Sequence, residues 1–375
     1  MSDSTEPTES TGDEHERVLA DRMATQRLTA PPMERAIDVV RLLTGVQCQD
    51  APLARYSIAL RTGLTDQEIR AELDSGAIVR THVLRPTWHF VAVEDLRWME
   101  ALTSVRVEAK MAARHRQLEL TPSATELAHA LLVAELAGRR WMTRPELGAR
   151  FAEAGLPSSG EQVGHLLMLA ELRGLICSGP MRGTTHTYGL VDEVAPPSPA
   201  LDRPDAVREL TRRFFVGHGP ADENDLRRWA TLTLTEIRAA LTDLAADGSL
   251  IARTVGESTL WSGPDHPQPR PDAPRAFLLP VFDEQYLSYP SINFPRAAGH
   301  PRGDRPHSFA EAGGGVVVCD RHDVGWWKRK EVAGGRLVVT MGLATSLGTE
   351  EHDLIAESAA RLGPFTGRAV DIVQA

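Results

Sequence analysis

Apolar residues recur at helical spacing through the middle of the chain, and each apolar stretch starts behind a capping pattern. The helix that follows Ser159-x-x-Gln162 has apolar residues at positions i, i+3, i+4 and i+7, and Gly174 ends it. A helix over Leu127–Gly138 and one capped by Thr143-x-x-Glu146 precede it, and the segments LICSG and THTYGL read as the two strands of a hairpin. This order, three helices and then a hairpin, is typical of a winged helix.

The same order of elements is predicted twice more. Thr233-x-x-Glu236 caps a helix that Gly248 ends, and as many residues separate Glu236 from Gly248 as separate Gln162 from Gly174. Near the start, Thr65-x-x-Glu68 caps a shorter helix ahead of the hairpin AIVRTHVLRPTWHFV, and Pro32–Thr44 is predicted as a helix before it. Matching caps in three places, with matching intervals in two of them, indicate an internal repeat.

After Pro264 the pattern changes to a proline-rich linker, followed by the strand-like segments AFLLPVF, GGGVVVCD and RLVVTMG and a helix over Leu354–Leu362. We therefore predict an α+β fold in which three tandem winged-helix units precede a C-terminal β-rich domain. The predicted divisions are a disordered acidic tail at 1–22, winged-helix units at 23–120, 121–200 and 201–264, and the β-rich domain at 265–375.

The charge of the chain bears on DNA binding, which is common among winged helices. A net charge of −10 has the wrong sign for a typical nucleic-acid-binding protein. The first 17 residues hold six acidic residues and one arginine, so they carry half of this charge, and they are polar enough to predict disorder. Basic residues cluster at Arg80–His89, Arg106–Arg116 and Lys328–Lys330, which favours DNA binding over a surface of scattered, solvated arginines.

Composition and spacing also limit the class of protein. No apolar run is long enough for a membrane helix and the N-terminus has no export pattern, so a cytoplasmic protein is expected. The three cysteines, Cys48, Cys177 and Cys319, are far apart, which suits a reducing compartment and matches no zinc spacing. His82 and His89 lack a third ligand nearby, and no phosphate loop, serine elbow or Cys/His signature occurs, so neither a metal nor another cofactor is expected.

Two short polar segments are candidates for chemistry. In Gln47-Cys48-Gln49-Asp50, two amides lie beside a core-facing segment just past a helix end, where they either carry chemistry or cap helices. Composition alone favours capping. Asp283 and Glu284 in LLPVFDEQYLSY are either an acid–base pair or a turn or helix start, and the second interpretation is favoured.

Several blocks of the sequence, taken together and in order, resemble the bacterial winged-helix DNA glycosylase family of AlkZ and YcaQ. The resemblance runs from about Gln26 to the C-terminus. It rests on VQCQDAPLARYSIALR, IVRTHVLRPTWHFVAVEDLRWM, AELRGLICSG, TYGLVDE, FFVGHGPADENDL, LLPVFDEQYLSY and VVVCDRHDVGWWKRK.

The resemblance implies both a fold and an activity. The implied fold is three tandem winged helices and a β domain around duplex DNA, and the implied substrates are N-alkylated purines, with interstrand crosslinks unhooked by some members. In this family a Gln-x-Gln or Gln-x-Asp motif carries catalysis, and Gln47 and Gln49 match the AlkZ-like Gln-x-Gln form. Their amides would orient a water under C1′ of a sugar whose base leaves without acid catalysis. Asp50 would either add negative potential or cap a turn, and the cap is favoured.

The hairpin would then be a DNA clamp, and double-stranded DNA with alkylated bases the partner of a monomeric protein. The residues expected to contact DNA are Arg80, His82, Arg85, Thr87, His89, Lys328 and Arg329. The chain departs from the family pattern in RRWATLT, where Trp-Trp-Ser-Gly-Leu is usual, and in Cys48, where an aliphatic residue is usual. The alternatives are a DNA-binding regulator without enzymatic activity and a winged-helix scaffold for protein partners.

Overall fold

Helices and strands contribute to every part of the fold, in agreement with the mixed class expected. The computed structural model describes residues 11–197, 201–290, 292–301 and 313–375. Within these ranges no helix is long and apolar enough to cross a membrane.

The described part of the chain begins with a helix where a disordered tail was predicted. Helix α1 spans Thr11–Thr25, so the prediction of disorder is wrong for residues 11–22, and residues 1–10 lie outside the described part. The second half of α1 has an apolar face, with Val18, Leu19 and Met23 buried. The Arg22 guanidinium is also fully buried and donates to the Pro220 carbonyl at 2.6 Å, which anchors the helix. The acidic composition of the first turns hid this apolar face.

The next segment alternates helices and short strands. It contains α2 (Ala36–Leu43), β1 (Val46–Gln47), α3 (Ala51–Thr62), α4 (Asp66–Asp74), β2 (Ile78–His82) and β3 (Trp88–Ala92). The strands pair in the order β1-β3-β2, and the capping box of Thr65 and Glu68 is present. Helix α2 begins at Ala36 and not at the predicted Pro32, because the Glu72 carboxylate accepts from the first two N–H groups of the helix.

A long helix that the apolar pattern did not predict follows the hairpin. Helix α5 spans Leu96–Gln117 and packs against a helix of the next segment. It carries the basic cluster Arg106–Arg116, but Arg106 pairs with Glu236 at 2.7 Å and Arg114 with Glu161 at 2.5 Å. Part of this basic cluster is therefore neutralised within the protein.

Two further segments repeat the order of helices followed by a hairpin. The first consists of α6 (Pro122–Leu136), β4 (Met142–Thr143), α7 (Arg144–Glu153), α8 (Gly160–Leu172), β5 (Ile176–Arg182), β6 (Thr185–Leu190) and α9 (Val191–Val194). The second consists of α10 (Arg203–His218), α11 (Glu223–Trp229), α12 (Leu234–Ala246), β7 (Ile251–Val255) and β8 (Ser258–Ser262). The predicted capping boxes of α7, α8 and α12 are all present.

The last part of the chain is built on a five-stranded sheet. Its elements are β9 (Ala276–Pro280), α13 (Glu284–Leu287), β10 (Gly314–Cys319), β11 (His322–Val332), β12 (Arg336–Leu343), α14 (Thr349–Ala360), α15 (Leu362–Thr366) and β13 (Val370–Gln374). The strand order is β13-β12-β11-β10-β9, and only the β12–β13 pair is parallel among the described strands. The three strand-like segments of the sequence are β9, β10 and β12, whereas β11 and β13 were not predicted.

The five-stranded sheet shares its hydrophobic core with the first helical segment. Val46 and Tyr56 belong to the same buried cluster as Leu278, Trp327 and Phe365. A second cluster joins the β2–β3 hairpin to α5 and to helices α10 to α12, whereas the segment of α6 to β6 has a core of its own. The first helical segment is therefore packed between the sheet and the third helical segment.

A close helix contact brings the third helical segment against the start of β1. A methyl group on Gly217 of α10 would lie 2.0 Å from the Leu42 carbonyl oxygen at the end of α2, so only glycine fits there. The next residue, His218, has its Nε2 atom 3.0 Å from the Leu43 carbonyl oxygen. These contacts set the position of α10 and α11 relative to Gln47.

Candidate active site

Gln47 lies where four parts of the chain meet. It occupies the second position of β1, opposite His89 of β3, and only 5% of its surface is exposed. Its main-chain N–H donates to the Glu284 Oε1 atom at 3.0 Å, and this bond holds β1 against α13. The side-chain amide is held separately, by the hairpin loop.

Arg85, in the loop between β2 and β3, holds the Gln47 amide. The Arg85 Nη2 atom donates to Gln47 Oε1 at 2.8 Å, and Arg85 Nη1 donates to the carbonyl oxygen of Trp229 at 2.8 Å. A guanidinium only donates hydrogen bonds, so this contact decides which end of the amide is the oxygen. Because a carbonyl oxygen has two lone pairs, Gln47 Oε1 can still accept from a second donor such as water.

His89 packs beside this pair as a neutral ring. Its Nε2 atom lies 3.2 Å from Arg85 Nη2 and must accept there, so its Nδ1 atom carries the proton and donates to the Thr87 carbonyl oxygen at 3.0 Å. Burial, together with the charge of Arg85, holds the pKa of His89 well below its ordinary value. The ring therefore fixes the loop and brings no charge of its own at neutral pH.

Glu284 is a fully buried carboxylate at the base of the site. Besides the Gln47 N–H, it accepts from the Trp229 Nε1 atom at 2.8 Å and from the Ser288 hydroxyl at 3.0 Å, both on Oε2. Burial lowers the pKa of Arg85, and the negative charge of Glu284 opposes that shift. Glu284 thus contacts β1, α11 and its own helix at once.

Asp283 has the helix-start role that the sequence favoured. It is the N-cap of α13 and accepts from the Gln285 N–H at 2.9 Å. It also accepts two bonds from Arg61, at 2.8 and 2.9 Å, and one from the Ser57 hydroxyl. Burial alone would raise the pKa of Asp283, but the Arg61 guanidinium and these hydrogen bonds outweigh it and lower the pKa. Both carboxylates are thus engaged inside the protein.

Gln49 and Asp50 differ in role although they are adjacent. Asp50 is the N-cap of α3 and accepts from the Leu53 N–H at 3.0 Å, which confirms the favoured interpretation. Gln49 is exposed to solvent. Neither glutamine is the cap of α3, and the helix-capping alternative for them is wrong.

Arg80 and His82, on β2, are directed into the protein. The Arg80 guanidinium stacks 3.9 Å above the Trp88 ring. The His82 ring bonds to the Glu171 carboxylate of α8, and both side chains are buried. The structure therefore brings Arg85, His89 and Gln47 together. It places Arg80 against Trp88 of the same hairpin, and His82 in a contact that joins the hairpin to the second helical segment.

The two C-terminal candidates lie on β11. Lys328 is exposed, with its ammonium 5.4 Å from the Trp326 ring. Burial lowers the pKa of Arg329, and the charge of Asp50 opposes that shift. Trp327 of the same strand packs on Tyr56 of α3, with ring centroids 6.1 Å apart. The basic strand is thus a neighbour of the Gln47–Asp50 segment.

Sequence reasoning did not identify the parts played by Arg228, Trp229 and Glu284. Arg228 is exposed, its charge acts on Arg85, and among the described residues no acidic side chain forms an ion pair with it. Arg228 and Trp229 belong to the segment RRWATLT, which departs from the family pattern. That departure was the feature of the sequence that could have drawn attention to them. Glu284 was noticed as a carboxylate, but its contact with Gln47 spans 237 positions of sequence.

The chain matches the family described as "DNA glycosylase AlkZ-like" over residues 40–365. It belongs to the AlkZ-like DNA glycosylase family. The matched range contains Gln47, the hairpin, Arg228, Trp229 and Glu284, while α1 lies ahead of it. The family resemblance found in the sequence is therefore confirmed.

A sequence match and a structural match to this AlkZ-like chain both come from one organism. An "Interstrand DNA cross-link repair glycosylase" of Streptomyces sahachiroi is 28% identical over 228 residues, in a match that covers 58% of this chain and 61% of that protein. The match thus spans less than two thirds of the relative. The solved structure of "Streptomyces sahachiroi DNA glycosylase AlkZ" has a TM-score of 0.71 and 23% identity, over 96% of this chain and 99% of that one. At this identity the likeness establishes the fold.

Proposed function

We propose that this AlkZ-like protein is a monofunctional DNA glycosylase that releases purines alkylated at N7 or N3 from duplex DNA, including those within interstrand crosslinks. The observation that carries the proposal is the Gln47 amide, whose oxygen Arg85 orients beside the exposed Gln49. Family membership supports the activity, and the name of the Streptomyces relative supports crosslinked DNA as a substrate.

The chemistry suits amides because the leaving group is already activated. A purine alkylated at N7 or N3 is cationic, so the C1′–N bond breaks with its electron pair going to the base, which leaves neutral. Water then bonds to C1′ and loses its proton to solvent. An amide oxygen accepts from that water and orients it but does not remove a proton at neutral pH. Gln47 and Gln49 therefore act by positioning.

The DNA-contacting surface surrounds this amide pair. Arg329 approaches from β11, while Lys328 lies exposed on the opposite face of that strand and extends the basic surface. The loop residues Arg85 and Thr87 approach from the hairpin. Arg80, His82 and His89 support the hairpin through their buried contacts, so their part in DNA binding is to hold the loop that meets the duplex. The exposed guanidinium of Arg228 adds a phosphate contact on the α11 side.

The repeated order of helices and hairpins supports three tandem winged helices as the frame of this surface. The sheet orders β1-β3-β2 and β4-β6-β5 match one another, and in the third copy Ala221 bridges Trp261 where the short first strand would lie. The units span 23–120, 121–200 and 201–264, and the β-rich domain spans 265–375. In this arrangement the wings hold the duplex and Gln47 meets the damaged nucleotide.

Base release from a defined lesion tests the proposal. A duplex with one 7-methylguanine is incubated with the protein, and the free base is measured by mass spectrometry under single-turnover conditions. Gln47→Ala and Gln49→Ala should each abolish release and leave DNA affinity nearly unchanged. Gln67→Ala, at an exposed position of α4, is the matched control and should release base like the unmodified protein.

Two results would contradict the proposal. If no base is released from 7-methylguanine, from a bulkier N7 adduct or from a crosslink, the proposed activity is refuted. If both glutamine variants release base fully, the assignment of Gln47 and Gln49 is refuted. A sequence-selective footprint on undamaged DNA would support the regulator alternative instead.

A further inference from the structure

Glu284 has no part in the water-positioning chemistry described above, although it touches the residue that performs it. Its side chain is fully buried, and both oxygens are occupied by internal donors, at 3.0 Å from Gln47 N, 2.8 Å from Trp229 Nε1 and 3.0 Å from Ser288 Oγ. A carboxylate so enclosed neither reaches a substrate nor exchanges protons with one. An acid–base role is therefore excluded in this geometry.

The contacts of Glu284 act on Gln47 by two routes. The first is direct, since the bond to the Gln47 N–H fixes the main chain from which the amide projects. The second passes through Trp229, which donates to Glu284 by its indole and accepts from Arg85 by its carbonyl, while Arg85 holds the amide oxygen. Main chain and side chain of Gln47 are thus tied to one buried anion.

Charge gives the same arrangement a second effect. Arg85 places a cation against the amide, and a cation in this position opposes both a positively charged base and the oxocarbenium-like transition state. The negative charge of Glu284 acts on Arg85 across the site. Arg85 can therefore orient Gln47 while its charge is offset by a carboxylate that never contacts the DNA.

We propose that Glu284 is a positioning residue for hydrolysis of the glycosidic bond, which holds Gln47 through β1 and offsets the charge of Arg85. This inference rests on the proposed function. Its substrate is the same alkylated nucleotide, and Glu284 affects the rate of bond cleavage and not the affinity for DNA.

Glu284→Gln tests this role because it keeps the shape of the side chain and removes the charge. Displacing a positioning group by a fraction of an ångström to 1 Å costs up to about 100-fold in rate, so we expect a single-turnover rate lower by about 10- to 100-fold. The dissociation constant for lesion DNA should stay within about twofold. If Glu284 acts through Gln47, its substitution should lower the rate no further in a Gln47→Ala background.

Two further variants separate positioning from folding. Asp323→Asn removes another buried carboxylate, one that contacts His300 at 2.9 Å, and should leave the rate unchanged. Ser288→Ala deletes one donor to Glu284 and retains its charge. It should lower the rate by a few-fold at unchanged DNA affinity, and it gives a reading even if Glu284→Gln does not fold.

Several results would overturn the inference. The first is an unchanged cleavage rate in Glu284→Gln or, where that variant is unfolded, in Ser288→Ala. The second is a loss of DNA affinity as large as the loss of rate. The third is a rate loss that adds fully to that of Gln47→Ala. If the unmodified protein releases no base, the proposed function fails first. In that case the NMR signal of the Gln47 side-chain amide tests the role of Glu284 by itself. The signal should shift in Glu284→Gln, and an unchanged signal would show that Glu284 does not position Gln47.

Discussion

Replacing Arg61 by methionine should destabilise the protein strongly, because it leaves the carboxylate of Asp283 buried without its counter-ion. Both side chains are fully buried, and the guanidinium donates to Asp283 at 2.8 and 2.9 Å. In Arg61→Met the carboxylate retains the Ser57 hydroxyl and the Gln285 N–H, which are neutral donors. Breaking a buried pair in this way costs about 3–5 kcal/mol in the free energy of unfolding.

The pH dependence of this loss follows from the pKa of Asp283. With Arg61 present the pKa lies below its ordinary value of about 3.9, so the pair stabilises the protein above that pH and loses its effect as the pH falls. Without Arg61, burial raises the pKa instead, and the folded state then holds a proton that the unfolded state has lost. The deficit of Arg61→Met should therefore grow as the pH rises above about 4 and level off above the raised pKa of Asp283.

Urea unfolding followed by tryptophan fluorescence, at pH 5 and pH 8, measures both quantities. Arg35→Ala is the surface control, because the Arg35–Asp38 pair at 2.7 Å is exposed and contributes little to stability. The double variant Arg61→Met/Asp283→Asn should recover part of the loss, since no charge is then left buried. A deficit of Arg61→Met no larger than that of Arg35→Ala, or one that shrinks with rising pH, would refute this reasoning.

Three other predictions test different parts of the structure. Arg228→Ala should weaken DNA binding and reduce the slope of log K against log salt by about 0.9, as expected for one lost phosphate contact, and an unchanged slope would exclude that contact. Gly217→Ala should destabilise by about 1–3 kcal/mol because its methyl group meets the Leu42 carbonyl, whereas Gly160→Ala, with open space around it, should not. Burial lowers the pKa of His89 and of His218, so the unfolded state takes up protons first on acidification. Each histidine should therefore cost about 1.4 kcal/mol per pH unit below about pH 6.5, measured by urea unfolding, and a flat profile would contradict their burial.

Helix starts and hairpins were predictable because their causes are local. The capping boxes at Thr65, Thr143, Ser159 and Thr233 involve residues three positions apart, and all four are present. Helices α1 and α5 were not predicted. The acidic first turns of α1 obscured its apolar second half, and the few buried positions of α5 are interspersed with charged residues, so neither periodicity is conspicuous.

The candidate site was predictable only in its residue types. Gln47 and Gln49 were found through the family motif, and local sequence also supported a capping role for Asp50. The hairpin residues were expected to face DNA, but the fold places Arg80 and His82 in buried contacts with Trp88 and with Glu171. A strand pattern predicts alternation, but not which neighbour covers each face.

The sequence by itself determined where the four capped helices begin, the repeated order of elements and the two amides of the motif, because each depends on residues close together in the chain. Only the tertiary structure decided that Arg85 orients the Gln47 oxygen and that Glu284 lies beneath both. Those contacts join residues 38 and 237 positions apart. A buried charge or amide must find its partners wherever the packed core places them, and that placement depends on all the packed segments together.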